Sequence, residues 1–155
     1  MVVFIFDLDD TLLLSHSYNN YSDIKQYPKL FKILSNLNHP KFIYTNGTSG
    51  HAQESLHKMG IFHLFNGIFA RDTLPYMKPH INSFIYVNDF IQKFYPNQPI
   101  LFFDDLLDNL YTAYEIGWYT IYINPKNNIN PKNNNNYYPF VDRSIPNIYS
   151  FFRIQ

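Results

Sequence analysis

Apolar positions along the chain fall into short blocks of two kinds, and the two kinds alternate. Val2 to Phe6 is an unbroken β-prone run, the pattern of a strand buried on both faces. Pro28 then opens a stretch in which Leu30, Phe31, Ile33, Leu34 and Leu37 recur at helical spacing. Lys41 to Tyr44 reads as a second strand. Ser49 is suited to cap a helix running to Met59, and Gly60 suits the position just past its end. Gly67 to Ala70 predicts a short third strand. Pro79 begins a longer helix, whose buried side is predicted to carry Ile81, Phe84, Ile85, Val87, Phe90, Ile91 and Phe94. Pro99 to Phe103 follows as a fourth strand, Leu106 to Ile116 as a helix stopped by Gly117, and Trp118 to Ile123 as a fifth strand.

The Asn- and Pro-rich segment 124–139 has no period and reads as a loop or a locally disordered insert. A last apolar stretch, Ile145 to Ile154, predicts a terminal helix. Alternating strands and helices argue for an α/β fold, a three-layer αβα sandwich around a mostly parallel sheet of five strands. Ligands gather at the carboxyl ends of the strands in such sheets. The polar residues at those ends are therefore the first place to look for chemistry.

Composition narrows the setting without naming a reaction. A chain of 155 residues fits one domain, 1–155, and can bury a core without staples. Its formal net charge is zero, which gives no strong pull toward nucleic acid or membrane. It has no cysteine, so disulfides and thiolate metal sites are excluded. The apolar start is too short for a signal peptide and no stretch is long enough to span a bilayer, so a soluble cytoplasmic protein is expected.

Four polar clusters fall at four strand or helix ends. Asp7, Asp9 and Thr11 follow the first strand; two acids two residues apart can divide nucleophile or metal ligand from proton carrier. Thr45-Asn46-Gly47 follows the second strand and can offer a hydroxyl and backbone N–H groups to a phosphate. Lys78 stands before Pro79 and can supply a cation. Asp104-Asp105 ends the very apolar run Ile100 to Phe103, where adjacent acids are costly unless something positive compensates them. A hard cation such as Mg²⁺ is the simplest compensation. Each cluster also has a plain explanation: an acidic turn, a turn before a capped helix, an exposed lysine, and acids at a helix start.

In this order and spacing, the clusters resemble the haloacid dehalogenase superfamily of phosphohydrolases. Asp7 and Asp9 match its Asp-x-Asp-x-Thr motif, Thr45 its second motif, Lys78 its third and Asp104-Asp105 its fourth, over the chain up to about Ile123. Phe42-Ile43-Tyr44-Thr45-Asn46-Gly47, Leu64-Phe65-Asn66-Gly67-Ile68-Phe69, Met77-Lys78-Pro79 and Phe102-Phe103-Asp104-Asp105 look like the branch containing pyrimidine 5′-nucleotidases. The resemblance implies a Rossmann-like sheet and a Mg²⁺-dependent phosphomonoester hydrolase. Asp7 would form an aspartyl-phosphate and Asp9 would act as general acid and base. Thr45, the Asn46 backbone and Lys78 would hold the phosphoryl oxygens. Mg²⁺ would bind the Asp7 carboxylate, the Asp9 carbonyl and Asp105, with Asp104 acting through water or Lys78. The superfamily's dehalogenases lack an acid at the position of Asp9, so Asp9 favours phosphate chemistry. Asp10, Asp72 and Asp108 are expected as surface or capping acids, and His16, His51 and His57 as unnecessary to the reaction.

The chain departs from that branch in having no room for a cap domain. Residues 12–27 leave space only for a short flap or cap remnant, and the stretch from Thr45 to Lys78 only for one helix and one strand. The open site leaves a small phosphorylated metabolite, a nucleotide or a macromolecular phosphoester as the expected substrate, with a neighbouring copy of the chain or the Asn-rich loop as alternative covers for it. Among rival readings, a calcium-binding loop at Asp7 to Tyr18 fails because its sixth position is Leu12 and its twelfth Tyr18. A receiver-type signalling domain wants an acid at the end of a third strand, where Gly67 to Ala70 has none. A catalytically retired domain serving as a binding module keeps the same fold, and no motif position here has been lost.

Overall fold

Val3–Phe6 forms β1, and all four of its residues are buried, because the strand has neighbours on both edges and helices over both faces. The structure, a computed structural model, describes residues 1–125 and 138–152. Its other strands are β2 (Lys41–Tyr44), β3 (Gly67–Phe69), β4 (Ile100–Asp104), β5 (Tyr119–Ile123) and β6 (Arg143–Ile145). They form one sheet in the order β3-β2-β1-β4-β5-β6, with every pair parallel. The helices are α1 (Pro28–Ser35), α2 (Ser49–Met59), α3 (Ile81–Phe94) and α4 (Leu107–Glu115).

Alternation along β1 divides the core in two. Phe4 and Phe6 face one side, where Leu30 and Leu34 of α1 and Ala52, Leu56 and Met59 of α2 cover them. Val3 and Ile5 face the other, against Phe84, Val87 and Ile91 of α3 and Leu110 and Ala113 of α4. The expected αβα sandwich is thus present. The helices change faces where the chain leaves β3 at one edge and returns to the centre as β4. Strand order reverses there, between β1 and β4, and opens a crevice at their carboxyl ends. A receiver domain has the order 2-1-3-4-5 instead, so this topology removes that rival.

Several expectations need correction. Among the described residues the sheet has six strands rather than five. The extra strand, β6, pairs Ile121 with Arg143 and Ile123 with Ile145, and it takes the start of the stretch predicted as a terminal helix. Pro146 follows, and among the described residues of that stretch only Ile148–Ser150 makes a single 3₁₀ turn, capped by the Asn147 side chain. The buried face of α3 is narrower than predicted: Phe84, Val87 and Ile91 are buried with Ser83, whereas Ile81, Ile85, Phe90 and Phe94 are exposed on its flanks. Thr48, not Ser49, caps α2 by accepting the His51 N–H at 3.1 Å. Most of the Asn-rich loop, residues 126–137, lies outside the described residues.

Between β1 and α1 there are only two 3₁₀ turns, Ser15–Ser17 and Tyr21–Asp23, and between β2 and α3 only α2, a third turn and β3. Neither insertion point carries a large cap. Among the described residues no helix is long and apolar enough to cross a membrane.

Candidate active site

The crevice is built by strand register. Phe6 pairs with Phe103, and the Asp7 N–H donates to the Phe103 carbonyl at 2.9 Å, so Asp7 and Asp104 leave the sheet side by side. Phe6 also pairs with Ile43, which brings the end of β2, Tyr44 and Thr45, to the other flank of Asp7. The residues of the first, second and fourth clusters are therefore gathered by three adjacent parallel strands.

Lys78 joins them from the loop before α3. Its ammonium donates to Asp7 Oδ1 at 3.1 Å, to Asp104 Oδ2 at 2.9 Å and to the Tyr44 carbonyl at 2.7 Å. Three acceptors satisfy its three hydrogens. The Tyr44 and Phe102 rings flank the ammonium at 4.9 and 5.5 Å from their centroids. The lysine backbone is fixed as well. Asn46 accepts the Lys78 N–H through Oδ1 and donates to its carbonyl through Nδ2, each at 3.0 Å. The Asn46 side chain is thus spent on holding Lys78. Burial disfavours the charged lysine, but Asp104 and Asp7 outweigh it and hold its pKa above the ordinary value.

The acids differ in how they are held. Thr11 donates its hydroxyl to Asp7 Oδ2 at 3.0 Å. Asp104 is fully buried; it accepts the Leu106 N–H through Oδ1, and Lys78 and the Asn109 amide through Oδ2. Asp105 is half-buried. Asp7, Asp104 and Asp105 each offer an oxygen, and the three oxygens lie within 4.8 Å of one another. One lysine does not neutralise three carboxylates. Burial, reinforced by the neighbouring acids, lifts Asp7 well above the usual carboxylate range despite Lys78. Burial likewise lifts Asp105 to about 6, opposed by its hydrogen bond to Asp7. The surplus of negative charge and the all-oxygen donor set fit a hard divalent cation.

Asp9 stands apart from the buried group, with its side chain about one-third exposed. Both of its oxygens contact His51 Nε2, at 3.0 and 3.1 Å. His51 Nδ1 lies 2.6 Å from the Tyr21 hydroxyl. Sequence reasoning set His51 aside, yet the fold brings it to Asp9 across 42 positions. Its signal was its place in the first turn of a helix that starts at a strand's carboxyl end, where side chains overlook the crevice. His57 instead stacks on Phe62. Thr45 is buried; its hydroxyl accepts the Gly47 N–H at 3.0 Å.

The remaining acids do local work. Asp10, at a φ of 62°, accepts the Ser15 N–H and hydroxyl and ties the loop after β1 to the following turn. Asp72 accepts the Ser49 N–H and hydroxyl at 2.8 and 2.6 Å and anchors the start of α2. Asp108 lies in the first turn of α4, where the helix dipole favours it.

Comparison with known proteins agrees with this fold. The magnesium-bound form of a HAD-hydrolase, YfnB from Bacillus subtilis, superimposes with a TM-score of 0.69 at 18% identity, covering 97% of this chain and 96% of that one. A predicted phosphoglycolate phosphatase from Haemophilus somnus is 32% identical over 62% of this chain, with a TM-score of 0.52; the match spans 43% of its length. A dehalogenase superimposes with a TM-score of 0.70 at 14% identity, over 97% of this chain and 95% of that chain. No curated protein matches the sequence. The sequence profile of the haloacid dehalogenase-like hydrolases matches residues 14–121, a span that holds Thr45, Lys78, Asp104 and Asp105 and begins after the Asp7 loop. The chain belongs to the haloacid dehalogenase-like hydrolase family.

Proposed function

We propose that the protein is a Mg²⁺-dependent phosphomonoester hydrolase in which Asp7 is the nucleophile and Asp9 the general acid and base. The observation that carries this reading is Asp7 itself: a carboxylate at the carboxyl end of the central strand, held by Thr11 and Lys78 beside two further acids. Two hydrogen bonds fix its orientation, which is what an attacking carboxylate needs.

In the first step an Asp7 oxygen attacks phosphorus while the bond to the alcohol oxygen breaks, and Asp9 gives its proton to that oxygen. In the second, Asp9 takes a proton from water as the water oxygen attacks phosphorus; the bond to Asp7 breaks and inorganic phosphate leaves. Thr45 and the Asn46 backbone would hold the phosphoryl oxygens through both steps, while Lys78, its hydrogens taken by Asp7, Asp104 and the Tyr44 carbonyl, would supply fixed positive charge beside them. Asp7, Asp105 and the Asp9 carbonyl would hold Mg²⁺, with Asp104 keeping Lys78 in place. When bound, the ion supplies positive charge for the transferring phosphoryl group.

Dehalogenases are among the structural likenesses, and they share the fold. Asp9 supports the phosphatase alternative, because a carboxyl there gives the site a proton carrier separate from its nucleophile. The absence of a large cap suits an open site for a phosphorylated small molecule or a phosphoester on a larger one. Hydrolysis of 4-nitrophenyl phosphate with and without Mg²⁺, in wild type and Asp7→Asn, tests the reading. Metal-dependent turnover is expected in the wild type and none in the variant. Equal turnover by both removes Asp7 as nucleophile.

A further inference from the structure

The contact between His51 and Asp9 has no part in the chemistry just described, and it is built with more care than a surface pair needs. The His51 main chain is fixed by the Thr48 cap at 3.1 Å, and the first residue of the same helix, Ser49, is tied to Asp72. The ring is bounded on three sides. Nε2 meets both Asp9 oxygens, and Nδ1 meets the Tyr21 hydroxyl at 2.6 Å. On the third side is Gly47, where a Cβ would come within 3.0 Å of the His51 Cδ2. An ionised Asp9 only accepts hydrogen bonds, so Nε2 carries the hydrogen in that contact; a neutral ring then accepts the Tyr21 O–H at Nδ1. The chain Tyr21 O–H to His51 to Asp9 thus has one consistent direction, and it joins the short segment after β1 to the first turn of α2.

We propose that His51 is a positioning residue for Asp9, with Tyr21 setting the ring. Asp9 is partly exposed, and a free aspartate there would sample several rotamers. His51 selects one of them and leaves a lone pair of the carboxylate free to carry the proton. The assignment rests on the reading of Asp9 as general acid and base.

Two substrates of similar shape separate this role from a structural one. The phenolate leaving 4-nitrophenyl phosphate is stable without a proton, whereas the alkoxide leaving 4-nitrobenzyl phosphate needs one. In His51→Phe, kcat/KM for the benzyl ester is expected to fall ~10-fold or more relative to the phenyl ester, a fraction of the ~10²–10⁴ that general acid catalysis supplies. With the phenyl ester, phosphorylated Asp7 is expected to accumulate, and kcat and KM to fall together, because dephosphorylation still needs the base. His51→Gln, whose amide can donate to Asp9, is expected to recover most of the ratio. Tyr21→Phe is expected to lower it about 3- to 5-fold, the worth of one hydrogen bond. Melting curves of all three variants check folding, and Tyr21→Phe and His51→Gln carry the test if His51→Phe is unfolded. Equal loss on both esters, or an unchanged ratio, overturns the positioning role while leaving Asp7 and Asp9 as proposed. A wild type that forms no phosphorylated Asp7 overturns the underlying reading, and the role of His51 falls with it.

Discussion

The Lys78 ammonium lies 2.9 Å from Asp104, and neither side chain is reachable by solvent. A charge pair in that position is costly to bury and tolerable only when every partner is in place. Here the partners are in place: Asp104 also holds the Leu106 N–H and the Asn109 amide, and Lys78 also holds Asp7 and the Tyr44 carbonyl. The pair therefore ties three strands and the start of α4 to one point beside Asp7, the proposed nucleophile.

Removing the cation should expose that dependence. Lys78→Met leaves two buried carboxylates unpaired, a loss of about 3–5 kcal/mol for a broken buried pair. In a chain of this size that corresponds to a fall in Tm of roughly 6–20 °C. Phosphatase activity should fall by at least ~10²-fold, as on losing one preorganised positive group beside a developing negative charge. Thermal melts beside initial rates check both, and a Tm within a degree or two of wild type would mean that the pair contributes nothing net.

The two faces of α3 offer a second test, independent of the site. Phe84 is fully buried among Tyr44, Phe102 and Trp118, whereas Ile85 beside it is 43% exposed. Phe84→Ala should cost about 3–5 kcal/mol through lost burial and the cavity left behind. Ile85→Ala should cost about 1 kcal/mol or less. Denaturant midpoints at unchanged slope measure the two, and equal costs would place the buried face of α3 elsewhere.

That contrast shows where sequence reading reached its limit. The strands at the centre were legible because Val2 to Phe6 and Ile100 to Phe103 are apolar without interruption, and a strand covered on both faces requires that. Asp7 and Asp104-Asp105 were legible as the points where such runs stop. In α3, apolar residues occur on more than one side, so the period announced a helix without selecting the side that packs. β6 was invisible because Arg143-Ser144-Ile145 has one apolar residue and gains its place from pairing with β5. His51 was set aside because its partner is 42 residues away, a distance that only the crossover from β1 to α2 closes.

Magnesium should stabilise the fold as well as support turnover. The oxygens of Asp7, Asp104 and Asp105 repel one another within 4.8 Å, and a cation among them removes that repulsion. At a free concentration 100-fold above its Kd, a ligand specific for the folded state adds about 2.7 kcal/mol. Melts in Mg²⁺ and in chelator should differ accordingly, by about 5–11 °C. Asp105→Asn should lose most of that difference while melting no lower than wild type in chelator, since it removes a repulsive charge. An equal Mg²⁺ shift in both proteins would place the ion away from Asp105.

The pH dependence of the metal-free protein follows from the same crowding, and its sign is opposite to that of an ordinary salt-bridged acid. Burial lifts Asp105 to about 6, and Asp7 is raised as well, also first by burial. A carboxyl whose folded pKa stands above its unfolded value binds the proton more tightly when folded. Its contribution favours folding at low pH and is lost as pH rises from about 4, the unfolded value, through about 6 for Asp105. Asp105 is half-buried, so solvent screening reduces the size of the effect but not its direction. The Tm of Asp105→Asn in chelator should therefore gain on wild type across that window and hold a constant lead above it. Mg²⁺ competes with the same protons, so its apparent affinity should rise over the same interval. Melts of the two proteins in chelator from pH 4 to 8 measure the gap, and a gap that does not change with pH would show that Asp105 titrates as a solvent-exposed acid.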